Sequence, residues 1–110
     1  MEKITYDDFT KIEITIGTIL TVEVVPEADK LLKLSVDVGE EVPRQILSGI
    51  RTYFEDPQVL VGQQCPFVIN LAPRTIRGFE SNGMILAGST EANLALLHPN
   101  MVLPPGTRLK

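Results

Sequence analysis

One histidine, one cysteine and a cluster of arginines, asparagines and serines are the residues of this 110-residue chain with chemistry to offer. His98 stands in "LLHPN", just before a proline, which reads as a loop or strand end rather than a general base. Cys65 is flanked by apolar residues with no base beside it in sequence, which reads as a core cysteine. A single histidine and a single cysteine do not supply the three or four ligands that a zinc site needs. Asp7 and Asp8 are neighbours, but two acids behind Thr5 are what a helix N-terminus favours. No "GxxxxGK" phosphate loop occurs. The expectation is a protein with no catalytic residues, no metal and no cofactor.

The stretch "NLAPRTIRGFESNGM", residues 70–84, has a different character. It gathers Asn70, Arg74, Arg77, Ser81 and Asn82 around Gly78 and Gly83, between two strongly apolar segments. Guanidinium forks match phosphates, and asparagine and serine address sugar hydroxyls or base edges. Glycines let a ligand or a second backbone approach closely. The plain alternative is a solvated hairpin, with glycine for turning, arginine for solubility and an Arg77–Glu80 pair as a brace. Phe79 reads as a core plug or a stacking face, and Lys30 as a partner for Glu27 or Asp29.

Total charge argues against a general polyanion binder, since the net charge is −4. The acid is uneven, however. Residues 1–29 carry seven acids against two lysines, and the rest of the chain is nearly balanced. Bulk charge therefore does not describe whichever face binds. One cysteine permits no internal disulfide and suits a reducing compartment. No apolar run approaches the about 18 residues of a membrane span, and "MEKITYDDF" is unlike a signal peptide. A cytoplasmic protein of one domain, residues 1–110, with no membrane partner, is expected.

The elements that must position these residues follow from periodicity. Thr5 caps a short helix with Asp8 in the box position. From Ile12 the pattern turns to period two, with Ile12, Ile14, Ile16, Leu20, Val22 and Val24 on one parity and Gly17 marking a bulge or bend. Residues 32–38, "LKLSVDV", alternate without error, placing Lys33 and Ser35 outward. "RQILSGI" is a third strand with mixed faces, carrying Arg44, Gln45 and Ser48. Asp56, Pro57 and Gly62 mark the cap, first position and end of a short helix. "CPFVINL" and "MILAG" complete five strands, with Pro66 expected at a strand start or an edge. Five short strands with a helix between the third and fourth predict an all-β, five-stranded OB-fold barrel, with an SH3-like barrel as the alternative. In OB barrels, the loop between strands four and five and the face of strands two and three bind oligonucleotides.

Nearly the whole chain resembles the tRNA-binding domain family. "DFTKIEITIGTI", "VPEADKLLKLSVDVGEEVPRQILSGI", "LVGQQ" and "NLAPRTIRGFESNGMILAG" carry the likeness, the last most diagnostically. That family includes stand-alone bacterial tRNA-binding proteins, C-terminal domains of methionyl-tRNA synthetases, EMAP II-like domains and CsaA-type export chaperones. The resemblance implies an OB fold, a symmetric homodimer, no catalysis, and binding of folded tRNA by shape, as an accessory to or derivative of a tRNA synthetase. It implies RNA contacts from Lys30, Lys33, Arg44, Gln45 and Ser48, and from Asn70, Arg74, Arg77, Ser81 and Met84. Thr15 and Thr75 stand where the family commonly has basic residues, which implies weaker binding. The ending "LLHPNMVLPPGTRLK" is similar to the CsaA-type branch, which keeps a chaperone of unfolded polypeptides as the alternative.

Overall fold

The computed structural model describes residues 1–110. The chain opens with α1 (Tyr6–Thr10), whose first turn is closed as expected: the Asp8 N–H donates to Thr5 Oγ1 at 3.1 Å, and the Asp8 carboxylate accepts from the Thr5 N–H. Nine strands follow: β1 (Ile14–Val24), β2 (Leu32–Asp37), β3 (Arg44–Ser48), β4 (Gln64–Val68), β5 (Arg74–Ile76), β6 (Phe79–Ser81), β7 (Met84–Ile85), β8 (Ala87–Ser89) and β9 (Leu94–Leu96). Five make one antiparallel sheet in the order β3–β2–β1–β4–β7. That sheet curls until β3 packs against β7, giving a nearly closed five-stranded barrel of OB type.

The error-free alternation of residues 32–37 is realised as written. Leu32, Leu34 and Val36 are fully buried and lie in one core cluster with Ile19, Ile46, Cys65 and Phe67. The single parity expected for residues 12–24 fails midway. The β1–β2 register slips between Ile19 and Thr21, so the extra residue, Leu20, is turned to solvent and the inward parity passes from Gly17 and Ile19 to Val22, while Ile16 is buried outside that core cluster. A bulge of one residue inverts every side chain beyond it. Gly17, the expected bend, serves a different purpose: a Cβ there would lie 2.6 Å from Val36 Cγ1 and 2.8 Å from Phe67 Cδ2. Its lack of a side chain makes room for the core.

Asp56 caps and Pro57 starts a helical turn as expected, with the Gln58 N–H donating to Asp56 Oδ1. The element is a 3₁₀ turn (Pro57–Leu60), preceded by another at Arg51–Tyr53, rather than an α-helix. Four residues offer too few i to i+4 bonds to offset helix nucleation. Pro66 lies opposite Ile16, whose N–H and C=O bond Thr107 and Gly106 on the far side, so its missing donor leaves no gap in that ladder. "MILAG" does not run as one strand: β7 ends at Ile85, and β8 leaves the sheet to pair with β9.

The C-terminal segment completes β1. Leu109 N–H donates to the Ile14 carbonyl, and Gly106 N–H to that of Ile16. Beneath it Thr15 is 2% exposed, and its hydroxyl has no partner. The side chain faces inward, so threonine here removes no cation from an exposed face. Thr15→Val keeps the shape and removes the orphaned hydroxyl, and is expected to stabilise the fold by about 1 kcal/mol. A thermal melt checks this; an unchanged or lower midpoint would mean that the hydroxyl is satisfied after all.

Candidate nucleic-acid interface

The two ends of the curled sheet are joined mainly through side chains. Arg44, at the start of β3, sends Nε and Nη2 to the Glu40 carboxylate, each at 2.8 Å, and Nη1 to the carbonyls of Ile69 and Asn82. The paired hydrogen bonds between Glu40 and Arg44 hold the Glu40 carboxyl below its ordinary value and raise Arg44 above its own. Gln45 Nε2 donates to the Glu80 carbonyl at 2.9 Å, and the Gln45 carbonyl accepts from the Asn82 N–H. Ser81 is 5% exposed, its Oγ accepting from the Leu47 N–H at 3.0 Å and donating to the Gly83 carbonyl at 3.2 Å. Gly83 is required by closeness: a Cβ would sit 2.9 Å from Ile46 Cδ1 and 3.1 Å from the Val68 carbonyl oxygen. Asn70 binds the entry to β1, accepting from the Glu13 N–H at 2.7 Å and donating to the Lys11 carbonyl at 2.6 Å.

Arg44, Asn70 and Ser81, named from sequence as contact residues, therefore have their polar atoms engaged within the fold. Gln45 is partly engaged. The geometry gives these four a closing role that local periodicity does not signal, since the bonds that close the barrel span 25 to 59 residues.

The stretch between β4 and β7 takes the hairpin form of the plain alternative rather than that of an open loop. It carries the β5–β6 hairpin, with Arg74 opposite Ser81, Thr75 opposite Glu80 and Ile76 opposite Phe79. Two residues turn it, Arg77 at φ 53° and Gly78 at φ 83°. Both central residues with positive φ make a type I′ turn, which matches the twist of the flanking strands. Glycine takes that conformation freely, whereas arginine is strained there. Ile76 and Phe79 anchor the hairpin on a second apolar cluster, Val25, Ala28 and Leu47 with Leu31. Arg74 and Arg77 remain exposed and enter none of the ion pairs. The Arg77–Glu80 brace of the alternative reading is not formed.

Around the hairpin lie the other candidates. Lys30 is exposed at the end of the β1–β2 loop, and its carbonyl accepts from the Arg51 N–H at 3.2 Å. Arg51 was not singled out from sequence, and it faces a cleft shared with Asp29 and Glu55. Ser48 is half-buried opposite Leu32. Lys33 lies 2.9 Å from Glu23 and 4.5 Å from the centre of the Phe79 ring. Met84, 45% exposed, lines a small cleft with Leu47, Leu71, Ile76 and Arg74.

Cys65 is fully buried, which pushes its thiol up to about 11. His98 does come near it, at 3.8 Å, but its Nδ1 is 2.7 Å from the Gln64 carbonyl and must carry the proton to bond there. It cannot accept one from the thiol. No helix is long and apolar enough to cross a membrane.

A small antiparallel barrel with an arginine-bearing hairpin over its β2–β3 face has the form of an OB-type domain. A family model described as "Putative tRNA binding domain" matches residues 14–108, and the chain belongs to that family. It is 50% identical over 105 residues to a methionine–tRNA ligase of Methanococcoides burtonii, covering 94% of this chain and 15% of the ligase. With the ligase of Deinococcus radiodurans the identity is 46% over 108 residues, covering 97% and 16%. The chain thus spans about one sixth of these curated relatives. A MetRS-related protein from Pyrococcus horikoshii superposes with TM-score 0.92 at 34% identity, covering all of both chains. The chaperone CsaA of Bacillus anthracis gives 0.87 at 34% identity, over 99% of this chain and all of that one.

Proposed function

We propose that this chain is a non-catalytic domain that binds folded tRNA by shape, as an accessory to or derivative of a methionyl-tRNA synthetase. The observation that carries this reading is the pair of exposed, unpaired arginines on a hairpin anchored to the barrel. Lys30, Lys33, Ser48 and Met84 flank that hairpin as further contacts, with Gln45 contributing the donor it does not use in closure. Arg44, Asn70 and Ser81 serve by holding the surface in shape. Few aromatic residues are present to stack splayed bases, at 5% of the chain, so phosphates and 2′-hydroxyls carry recognition. The methionine–tRNA ligase relatives support the link to a synthetase.

The domain acts as a homodimer. Leu97, Met101 and Val102 are 51%, 67% and 86% exposed, more apolar surface than one small barrel gains by leaving open. Two modest cationic patches related by a two-fold axis then engage one RNA together. A second reading, a polypeptide-binding chaperone, draws on the CsaA likeness and on the apolar cleft of Leu47, Leu71, Ile76 and Met84.

A gel shift with total tRNA decides between them, using single-stranded RNA, duplex DNA and a denatured protein as competitors. Only tRNA is expected to compete strongly, with sedimentation of the free protein giving twice 12.1 kDa. If single-stranded RNA competed equally, shape would not be what is read. If denatured protein displaced tRNA, the chaperone reading would take its place.

A further inference from the structure

Lys33 is the one cation of the β2 face, and it is already occupied. Glu23 and Lys33 are directly opposite each other on β1 and β2. Their side chains meet at 2.9 Å, with Lys33 25% and Glu23 60% exposed. The ammonium also lies over the Phe79 ring, which comes from the hairpin. Thus one lysine joins an acid of β1 to an aromatic ring of β6. Glu23, Lys33 and Phe79 sit where the barrel face meets the arginine-bearing hairpin. The cleft beside them is otherwise lined by neutral groups, Thr21, Ser35 and Gln45 among them. No second cation offsets the Glu23 carboxylate there.

Taking the tRNA-binding role proposed above as its basis, we infer that Glu23 limits the affinity of this surface for RNA. Its carboxylate stands on Lys33 as a phosphate would, and it holds the ammonium against the Phe79 ring. An arriving phosphate must first displace that carboxylate from the ammonium. A surface ion pair is weak enough to be exchanged. The pair therefore acts as an internal competitor that keeps binding reversible, rather than as a lock on the fold.

The isosteric Glu23→Gln variant tests this, alone and with Lys33→Met. Two readouts are used. The first is the proton shift of the Lys33 ε-methylene group, which the Phe79 ring shields when the ammonium is held over it. The second is tRNA affinity at several salt concentrations. Glu23→Gln is expected to move the ε-methylene signal toward its free position. It should tighten tRNA binding about three- to tenfold at low salt and steepen the salt dependence by up to about one unit of slope. In the Lys33→Met background the same exchange should bring little gain.

An ε-methylene signal that stays shielded in Glu23→Gln would overturn the inference without reference to RNA. So would parent-like or weaker binding by Glu23→Gln while the parent protein binds tRNA. A gain that persists without Lys33 would show that Glu23 acts by direct repulsion and not through the lysine. Should the parent itself fail to bind tRNA, the functional reading falls, and the affinity role of Glu23 falls with it.

Discussion

Replacing Arg74 by alanine, or Arg77 by glycine, is expected to weaken tRNA binding about tenfold each at moderate salt, while the barrel stays folded. Both side chains are exposed and unpaired. A charge-assisted bond to phosphate is worth more than a neutral one, and each lost phosphate contact returns its counterions. The salt dependence should flatten by up to about one unit of slope per contact, and by twice that where both copies of a dimer touch the RNA. Glycine is the cleaner probe at residue 77. With φ at 53° the arginine backbone is strained, so Arg77→Gly removes the charge and relaxes the turn together. Its melting midpoint should hold or rise as its affinity falls, a divergence that general damage cannot produce. Parent-like binding by both variants would place the RNA surface elsewhere.

Ser81→Ala should do the reverse. Its hydroxyl accepts from the Leu47 N–H, and Leu47 is only 6% exposed. Truncation leaves that buried donor without a partner, at a cost of about 1–3 kcal/mol. For a domain of this size that lowers the melting midpoint by several degrees, roughly 4–8 °C per kcal/mol at the small end of the range. The protein still folded should bind tRNA like the parent, with the same salt slope. A variant that melted normally yet bound weakly would show that the hydroxyl faces RNA, as the family likeness alone implies. Paired with the arginine variants, it separates residues that touch the ligand from those that shape the surface.

What could be read in advance depended on the distance over which a residue acts. The alternation of residues 32–37 and the Thr5–Asp8 cap are local, so both were plain in the sequence. Cys65 was legible as core from its apolar neighbours. The Leu20 bulge was not, because a one-residue slip leaves composition untouched while inverting the pattern beyond it. The β5–β6 hairpin was present only as the plain alternative, since Arg-Gly lacks the Asn-Gly or Asp-Gly signature that would have marked a type I′ turn at residues 77 and 78. The stretch proposed to bind RNA stands out by its residue types. Dividing it into contacts and braces was out of reach, because Arg44, Gln45, Asn70 and Ser81 bond backbone groups that are brought near only by the closed barrel. A polar side chain in a strand looks the same whether it faces a phosphate or a carbonyl 38 residues away.

The hairpin lies outside the main core. From residues 71–80, only Ile76 and Phe79 pack against a buried core cluster, and it is the smaller one. Closure of the sheet is managed at its borders, by Asn70 on one side and by Ser81, Asn82 and Gly83 on the other. The segment is therefore a cassette mounted in a frame. If the hairpin is the contact surface proposed above, substitutions at its tip alter what that surface meets without loosening the frame, and frame residues can be kept while the tip changes. One scaffold can in this way pass between ligands of different chemistry over evolutionary time, exchanging a few exposed positions and preserving its stability throughout.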